Sequence, residues 1–110
     1  MAVPHANPGE VIALTPLDSK LLETRTTTLF KTKCLEGLRL VLPAGKRIDP
    51  HKVSGEITIQ CLKGVVEIES RGRQQLMTPE TLIYLLGGDE HSVRAIEDSA
   101  LLVTIRLPTA

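Results

Sequence analysis

The sequence predicts an all-β domain built from antiparallel strands, and three observations support this prediction. Hydrophobic residues make up 42% of the chain but aromatic residues only 2%, so a core must consist mainly of Leu, Ile and Val. A core of this kind favours strands. Short apolar or alternating stretches follow one another, each closed by Gly, Pro, Asp or Ser, which is typical of consecutive strands. In addition, a Thr-rich run at 24–28 carries branched side chains that disfavour a helix.

The strands can be placed in order along the chain. The first candidate is Val11 to Leu14, and the second is Thr24 to Cys34, with only Leu17 to Glu23 between them compatible with a helical turn. Turn sequences such as Pro43-Ala44-Gly45 and Gly87-Gly88-Asp89 separate the later candidates. These are Leu38 to Leu42, Ile57 to Leu62, Val65 to Glu69, Gln74 to Met77, Leu82 to Leu86, Ser92 to Ile96 and Ala100 to Leu107.

Two adjacent strands show the predicted inner and outer faces most clearly. Side chains that alternate along a strand point to opposite faces, which predicts that Ile57, Ile59, Cys61, Val66 and Ile68 face the interior. A hairpin through Lys63-Gly64 is expected to join the two strands. Seven to nine such strands form either a sandwich or a closed barrel. We therefore expect a small antiparallel β-barrel or double-sheet jelly roll.

The 110 residues have room for one domain, which we place at residues 11–110 after a flexible Pro-rich arm at residues 1–10.

Charge and cysteine content narrow the possible partners. Thirteen basic residues balance thirteen acidic ones, which argues against nucleic acid and membrane surfaces as partners. Neither a secretory signal nor a membrane-spanning stretch is apparent. Cys34 and Cys61 are expected to be reduced thiols in a cytoplasmic protein.

Residues between Leu38 and Ile105 resemble a known family. Gly45, His51, the Gly55-Glu56 turn and Gly64, followed later by Gly88 and His91, resemble the two motifs of small single-domain cupins. The spacing from Gly45 to Gly64 matches the family pattern without a gap. The resemblance implies a closed or nearly closed β-barrel of two antiparallel sheets, with a pocket at one mouth and often a homodimer.

The resemblance also implies a metal site, of which this chain keeps half. Cupins with full motifs bind a divalent metal through two histidines and a glutamate of the first motif and one histidine of the second. Only His51 and His91 match, whereas Val53 and Ile57 stand at the other two positions. The second motif also has Pro79-Glu80 in place of a Gly-Asp turn and Leu86 in place of a proline. Since two imidazoles make an incomplete site, we expect Fe, Mn, Ni or Zn to bind weakly or not at all.

Several residues remain as candidates for the pocket. We expect His51 and His91 to converge there with Val53, Ile57 and Cys61, which would make its floor largely apolar. Cys61, Glu56 and His5 are candidates for replacing the missing metal ligands, although a Cys in an apolar strand is more often a small buried hydrophobe. The charge pairs Lys46-Arg47 and Arg71-Gly72-Arg73 are expected to be solvated in turns.

Three functions follow from these residues as hypotheses. The first is a binding module that holds a small, partly apolar organic molecule at the barrel mouth. The second is an enzyme, either a metal-dependent dioxygenase or isomerase with a rearranged ligand set or a metal-free epimerase or isomerase with His51 or His91 as base. The third is a dimerisation module in which residues Val11 to Leu22 cross to a second subunit.

Overall fold

The computed structural model describes residues 5–14 and 26–108, which contain nine β-strands in two antiparallel sheets. One sheet has five strands in the order β1-β2-β9-β4-β7, and the other has four in the order β3-β8-β5-β6. This is a jelly-roll-like β-sandwich, which confirms the predicted all-β class. The strands are β1 (Thr27–Lys31), β2 (Leu35–Leu42), β3 (Arg47–His51), β4 (Ile57–Lys63), β5 (Val66–Ser70), β6 (Arg73–Met77), β7 (Thr81–Leu85), β8 (His91–Ala95) and β9 (Ser99–Arg106).

The core lies between the inner faces of the two sheets. Alternation along β4 and β5 buries the five side chains that the sequence predicts to face inward, namely Ile57, Ile59, Cys61, Val66 and Ile68. Leu101 and Val103 of β9 and Val93 of β8 complete the contact between the sheets. Burying a side chain of this size stabilises a fold by about 1.5–3 kcal/mol, so this apolar layer holds the sheets together.

The predicted hairpin between β4 and β5 is wrong. β4 pairs with β7 and β9 in the five-stranded sheet, whereas β5 pairs with β6 and β8 in the other sheet. Lys63 and Gly64 therefore carry the chain across the sandwich, with Gly64 at a φ of 85°. Both strands have an apolar inner face, and a crossover buries each face against the opposite sheet.

The N-terminal predictions need two corrections. Val11 to Leu14 does not form a strand, and Val11 is 99% exposed. The N-terminal residues 6–14 instead contact β1 and β2. The Ala6 amide donates to the Leu29 carbonyl of β1, and Arg39 of β2 donates to the Leu14 carbonyl. β1 ends at Lys31 rather than Cys34, because the Thr32 hydroxyl accepts the amides of Cys34 and Leu35 and turns the chain. The predicted helical turn at Leu17 to Glu23 lies outside the described residues.

β3 is a strand that the sequence did not predict. Its sequence, Arg-Ile-Asp-Pro-His, contains Pro50, and a proline removes a donor from the hydrogen-bond ladder. β3 lies at the edge of its sheet, where proline is tolerated, and its pairing with β8 is irregular between Ile48 and His51. This edge strand carries the first histidine of the candidate site.

Cys34 is exposed and Cys61 is buried, and neither is part of a disulfide. Within residues 5–14 and 26–108, no helix is long and apolar enough to cross a membrane.

Candidate functional site

The strand register aligns four polar residues across the inner face of the four-stranded sheet. His51 of β3 is paired with His91 of β8, and His91 is paired with Ser70 of β5. Ser70 is in turn paired with Arg73 of β6. Directly paired residues have side chains on the same face, and neighbouring strands lie about 4.8 Å apart, so this row extends over about 14 Å. We call His51, His91, Ser70 and Arg73 the polar row.

The two histidine rings are in contact across the pairing of β3 with β8. Their centroids are 4.3 Å apart and their planes are tilted by 58°. The Nδ1 atom of His51 lies 3.2 Å from the Asp49 carbonyl oxygen, and that of His91 lies 3.2 Å from the Asp89 carbonyl oxygen. Because a carbonyl oxygen only accepts hydrogen bonds, these contacts place a proton on each Nδ1. In the neutral rings, both Nε2 atoms are left with a free lone pair.

The two histidines differ in their surroundings. His51 is exposed at the sheet edge, whereas His91 is only 2% exposed. Burial lowers the pKa of His91 because the imidazolium loses its hydration, and the neighbouring His51 lowers it further. The Asp89 carbonyl and carboxylate act in the opposite direction but do not cancel the effect of burial. His91 is therefore a neutral base at pH 7.

We expect the stability of the domain to fall as the pH is lowered through the range in which an unfolded histidine is protonated, about 6.5 and below. A folded-state pKa below the unfolded value means that the unfolded chain binds more protons in this window, so acid favours unfolding. Urea midpoints at pH 7.5 and 5.5 measure the effect. His91→Gln should flatten this dependence, and His51→Gln should reduce it much less, because burial lowers the pKa of His91 more than the neighbouring His51 does. Equal slopes in the wild type and in His91→Gln would contradict the prediction.

The apolar residues at the two substituted motif positions are part of the packing. Ile57 is 3% exposed, and its register partners Leu85 and Ile105 are also apolar. Val53 is partly buried against the same core. Neither side chain has a metal-binding atom, and both contribute to the packing of the core.

Cys61 lies away from the histidines. It is four residues along β4 from Ile57, a distance of about 13 Å at the usual strand rise, close to the crossover at Gly64. Its side chain is fully buried, and the Sγ atom lies 3.6 Å from the carbonyls of Lys63 and Gly64. Burial raises the pKa of this thiol, with the Lys63 contact acting weakly against it. Cys61 is thus a protonated core residue.

The residues present do not fit the divalent metal that the motifs imply. In residues 5–14 and 26–108, no group of three or more His, Cys, Asp and Glu side chains is arranged to hold a metal ion. Glu56 is exposed and forms an ion pair with Arg106 at 3.5 Å. His5 lies in a surface cavity beside Thr27 and Leu29. Glu56, His5 and Cys61 therefore do not supply a further metal ligand to His51 and His91.

An open cavity of about 300 Å³ lies between the sheets at the other end of the polar row. Ser70, Arg73 and Gln75 line it from one sheet, and Ile83 and Leu85 line it from the other. The cavity exists because β6 and β7 are the edge strands of their sheets and are not paired with each other. It offers polar groups on one wall and apolar groups on the other, as a small-molecule site requires. We call it the inter-sheet cavity.

Arg73 and Gln75 are site residues that the sequence interpretation missed. A two-residue turn at Arg71-Gly72, with φ of 53° and 75°, pairs Ser70 with Arg73. The alternation that buries Val66, Ile68 and Ser70 therefore continues through the turn and puts Arg73 and Gln75 on the inner face. That alternation was the available signal. Arg71 and Arg73 are both exposed, as the sequence predicts, and only the pairing of Ser70 with Arg73 distinguishes the inner-face position of Arg73.

Arg71 and Arg73 have separate roles. Arg71 forms an ion pair with Asp89 at 3.3 Å, which ties the β5–β6 turn to the loop before His91. The Asp89 carboxylate also accepts the Leu86 amide at 2.9 Å. This fixes the loop around one end of the polar row, whereas Arg73 faces the inter-sheet cavity.

No protein-family model matches the sequence, and no curated protein is significantly similar to it. Solved structures do match the fold. A conserved protein of unknown function from Streptococcus pyogenes has a TM-score of 0.78 and 20% identity, covering 100% of this chain and 97% of that chain.

Two further solved structures match the fold. A cupin superfamily protein from Desulfitobacterium hafniense has a TM-score of 0.77 and 15% identity, covering 94% of this chain and 100% of that chain. KdgF from Halomonas sp. has a TM-score of 0.70 and 19% identity, covering 76% of this chain and 77% of that chain. At these identities the likeness concerns the fold. The chain is therefore a small domain with the cupin fold.

Proposed function

We propose that this domain is a binding module that holds a small, partly apolar organic molecule in the inter-sheet cavity, without a stoichiometric metal. The observation that carries the proposal is that one wall of this cavity is polar and the facing wall is apolar. The polar wall consists of Ser70, Arg73 and Gln75, and the apolar wall contains Ile83 and Leu85. An apolar wall supplies the contact area, and a few polar groups fix the orientation of the ligand. Val53 and Ile57 carry no metal-binding atoms, and this supports the metal-free part of the proposal.

The test is to fill the cavity from an exposed position. Gln75 faces the cavity and is exposed, so Gln75→Trp should block it while leaving the buried core intact. Gln74→Trp is a matched control, because Gln74 is the next residue on β6 and its side chain amide reaches Glu69 on the outer face. NMR titration with a library of small organic molecules should shift the amides of Ser70, Ile83 and Leu85. Binding should be lost in Gln75→Trp and kept in Gln74→Trp.

A library that leaves these amides unmoved, or hits that bind both variants equally, would refute the proposed site. Stoichiometric, tightly held metal in protein purified without chelator would refute the metal-free part of the proposal.

A metal-free isomerase or epimerase is a second candidate, favoured by the state of the histidines. Both Nδ1 atoms are engaged with carbonyls, the Nε2 atoms are free to accept a proton, and the pKa of His91 is lowered. A neutral imidazole in this state serves as a general base. Turnover of sugars, diketones or small aromatic acids should disappear in His51→Ala and in His91→Gln while the fold is kept. Turnover that survives both substitutions would exclude this candidate.

The homodimer expected from the cupin resemblance stays a prediction. Its support here is that edge strand β7 exposes Leu82 and Tyr84, which a second copy would cover.

A further inference from the structure

Arg73 differs from the other described arginines in having no ion pair or hydrogen bond to a described residue. Among residues 5–14 and 26–108, ion pairs engage Arg47 with Asp49, Arg71 with Asp89, Arg94 with Glu67 and Arg106 with Glu56, and Arg39 donates to a backbone carbonyl. Arg73 has no such ion pair or hydrogen bond in that part of the chain. It is also the arginine whose register places it on the inner face of a sheet opposite the buried Ser70.

The residues that line the inter-sheet cavity carry positive charge and no negative charge. The lining contains no Asp or Glu, and Arg71 at its rim is already paired with Asp89. Arg73 therefore leaves the cavity with one uncompensated positive charge beside the uncharged amide of Gln75, while the Ser70 hydroxyl already donates to the Glu90 carbonyl. The facing wall, Ile83 and Leu85, is apolar. A guanidinium is a rigid planar donor that matches the geometry of a carboxylate, and it is neutralised most effectively by such a group.

We infer that the ligand of the inter-sheet cavity is a small carboxylic acid with an apolar body, whose carboxylate is bound by Arg73 and whose body packs against Ile83 and Leu85. This inference rests on the proposed function, since it names the chemical class of the ligand for the same cavity. Gln75 lies next to Arg73 on the same face of β6 and supplies an amide donor toward the carboxylate. A cavity of about 300 Å³ is at the lower end of the volumes of small-molecule sites, which suits a small acid.

The experiment compares a carboxylate with its neutral isostere. Isovalerate and isovaleramide have the same apolar body and differ in charge, and both are titrated against the full chain with the amides of Ser70, Ile83 and Leu85 observed by NMR. We expect isovalerate to bind at least about tenfold more tightly, since hydrogen bonds to charged groups are the stronger ones. Arg73→Gln should reduce the affinity for isovalerate to that for isovaleramide.

Arg94→Gln is the matched control, because it removes the same charge from the outer face of the same sheet. It should leave the preference for the carboxylate unchanged, which excludes an effect of net charge alone. Inorganic phosphate serves as a third probe and should bind more weakly than isovalerate, because it has no apolar body to pack against Ile83 and Leu85.

The outcomes separate this inference from the proposed function. If both isosteres bind equally, if Arg73→Gln keeps the preference, or if phosphate binds as tightly as isovalerate, the carboxylate inference is overturned while the cavity remains a binding site. If neither the probes nor the small-molecule library moves the cavity amides, the proposed function fails and the inference fails with it.

Discussion

Gly64→Ala is expected to destabilise the domain by about 3 kcal/mol or more, because two separate penalties add at this position. Gly64 has a φ of 85°, in the left-handed region that a residue with a Cβ atom avoids. A Cβ atom there would also lie 2.8 Å from the Ser99 Cα atom, and it would overlap the Asp98 carbonyl oxygen and the Ser99 hydroxyl. Ser99 is fully buried, and its hydroxyl reaches the carbonyls of Glu97 and Val65, so it has little room to move.

Gly45→Ala provides the control for this prediction. Gly45 has a φ of 86°, but a Cβ atom there would meet no atom within 4 Å. Its substitution should cost only the conformational strain, about 1–2 kcal/mol. Chemical denaturation of both variants measures the difference. Equal losses would show that the close approach of Ser99 and Asp98 adds nothing to the requirement for glycine at the crossover.

Ile57→Glu is expected to destabilise the domain by about 4 kcal/mol at neutral pH, because it removes a buried side chain and buries a carboxylate. Ile57 is 3% exposed between Leu85 and Ile105, with no cation among its register partners. Desolvation raises the pKa of such a carboxyl group, so the folded state would bind the extra proton and the deficit should shrink as the pH is lowered. Thr58→Glu, on the outer face of β4, is the control and should cost much less.

Adding Val53→His to Ile57→Glu tests why the domain lacks a complete metal site. The double variant supplies the two ligand types that the cupin motifs contain and this chain lacks, in a domain where His51 and His91 are already in contact. Without metal it should be less stable than the wild type. With zinc or nickel present at about 100 times the dissociation constant, it should regain about 2.7 kcal/mol.

Thermal unfolding midpoints of the wild type and of the double variant, each with and without metal, measure this stabilisation. The wild type should show little change, because two imidazoles alone bind weakly. If metal raises the thermal midpoint of the wild type as much as that of the double variant, other residues must complete the metal site. A double variant that does not respond to metal would mean that Val53 and Ile57 are not the substitutions that removed it.

Together these variants separate two roles of the motif residues. Gly45 and Gly64 serve the backbone path of the sandwich, and this role is kept although half of the metal ligands are absent. His51 and His91 are held by the pairing of β3 with β8 and by the carbonyls of Asp49 and Asp89, none of which needs a metal. The fold thus holds a preformed pair of imidazoles at one end of the polar row, and Arg73 at the other end of the row lines the inter-sheet cavity.

The sequence by itself determined the all-β class, most of the strands and the inner faces of β4 and β5, because these depend on local alternation and on turn residues. It also indicated that His51 and His91 lie together, through their resemblance to the cupin motifs. The sequence did not predict β3, because Pro50 is unusual within a strand. It also predicted a strand at Val11 to Leu14, where the apolar residues do not pair with another strand.

The polar row and the inter-sheet cavity were decided only by the tertiary structure. The row depends on the register of four strands that are separated by up to forty residues, and local periodicity carries no information about such pairings. The same limit explains the wrong β4–β5 hairpin, since a Lys-Gly turn suits a hairpin and a crossover equally well. Arg73 becomes a candidate ligand-binding residue because the opposite sheet places Ile83 and Leu85 before it, and the packing of two sheets is not encoded in any one segment.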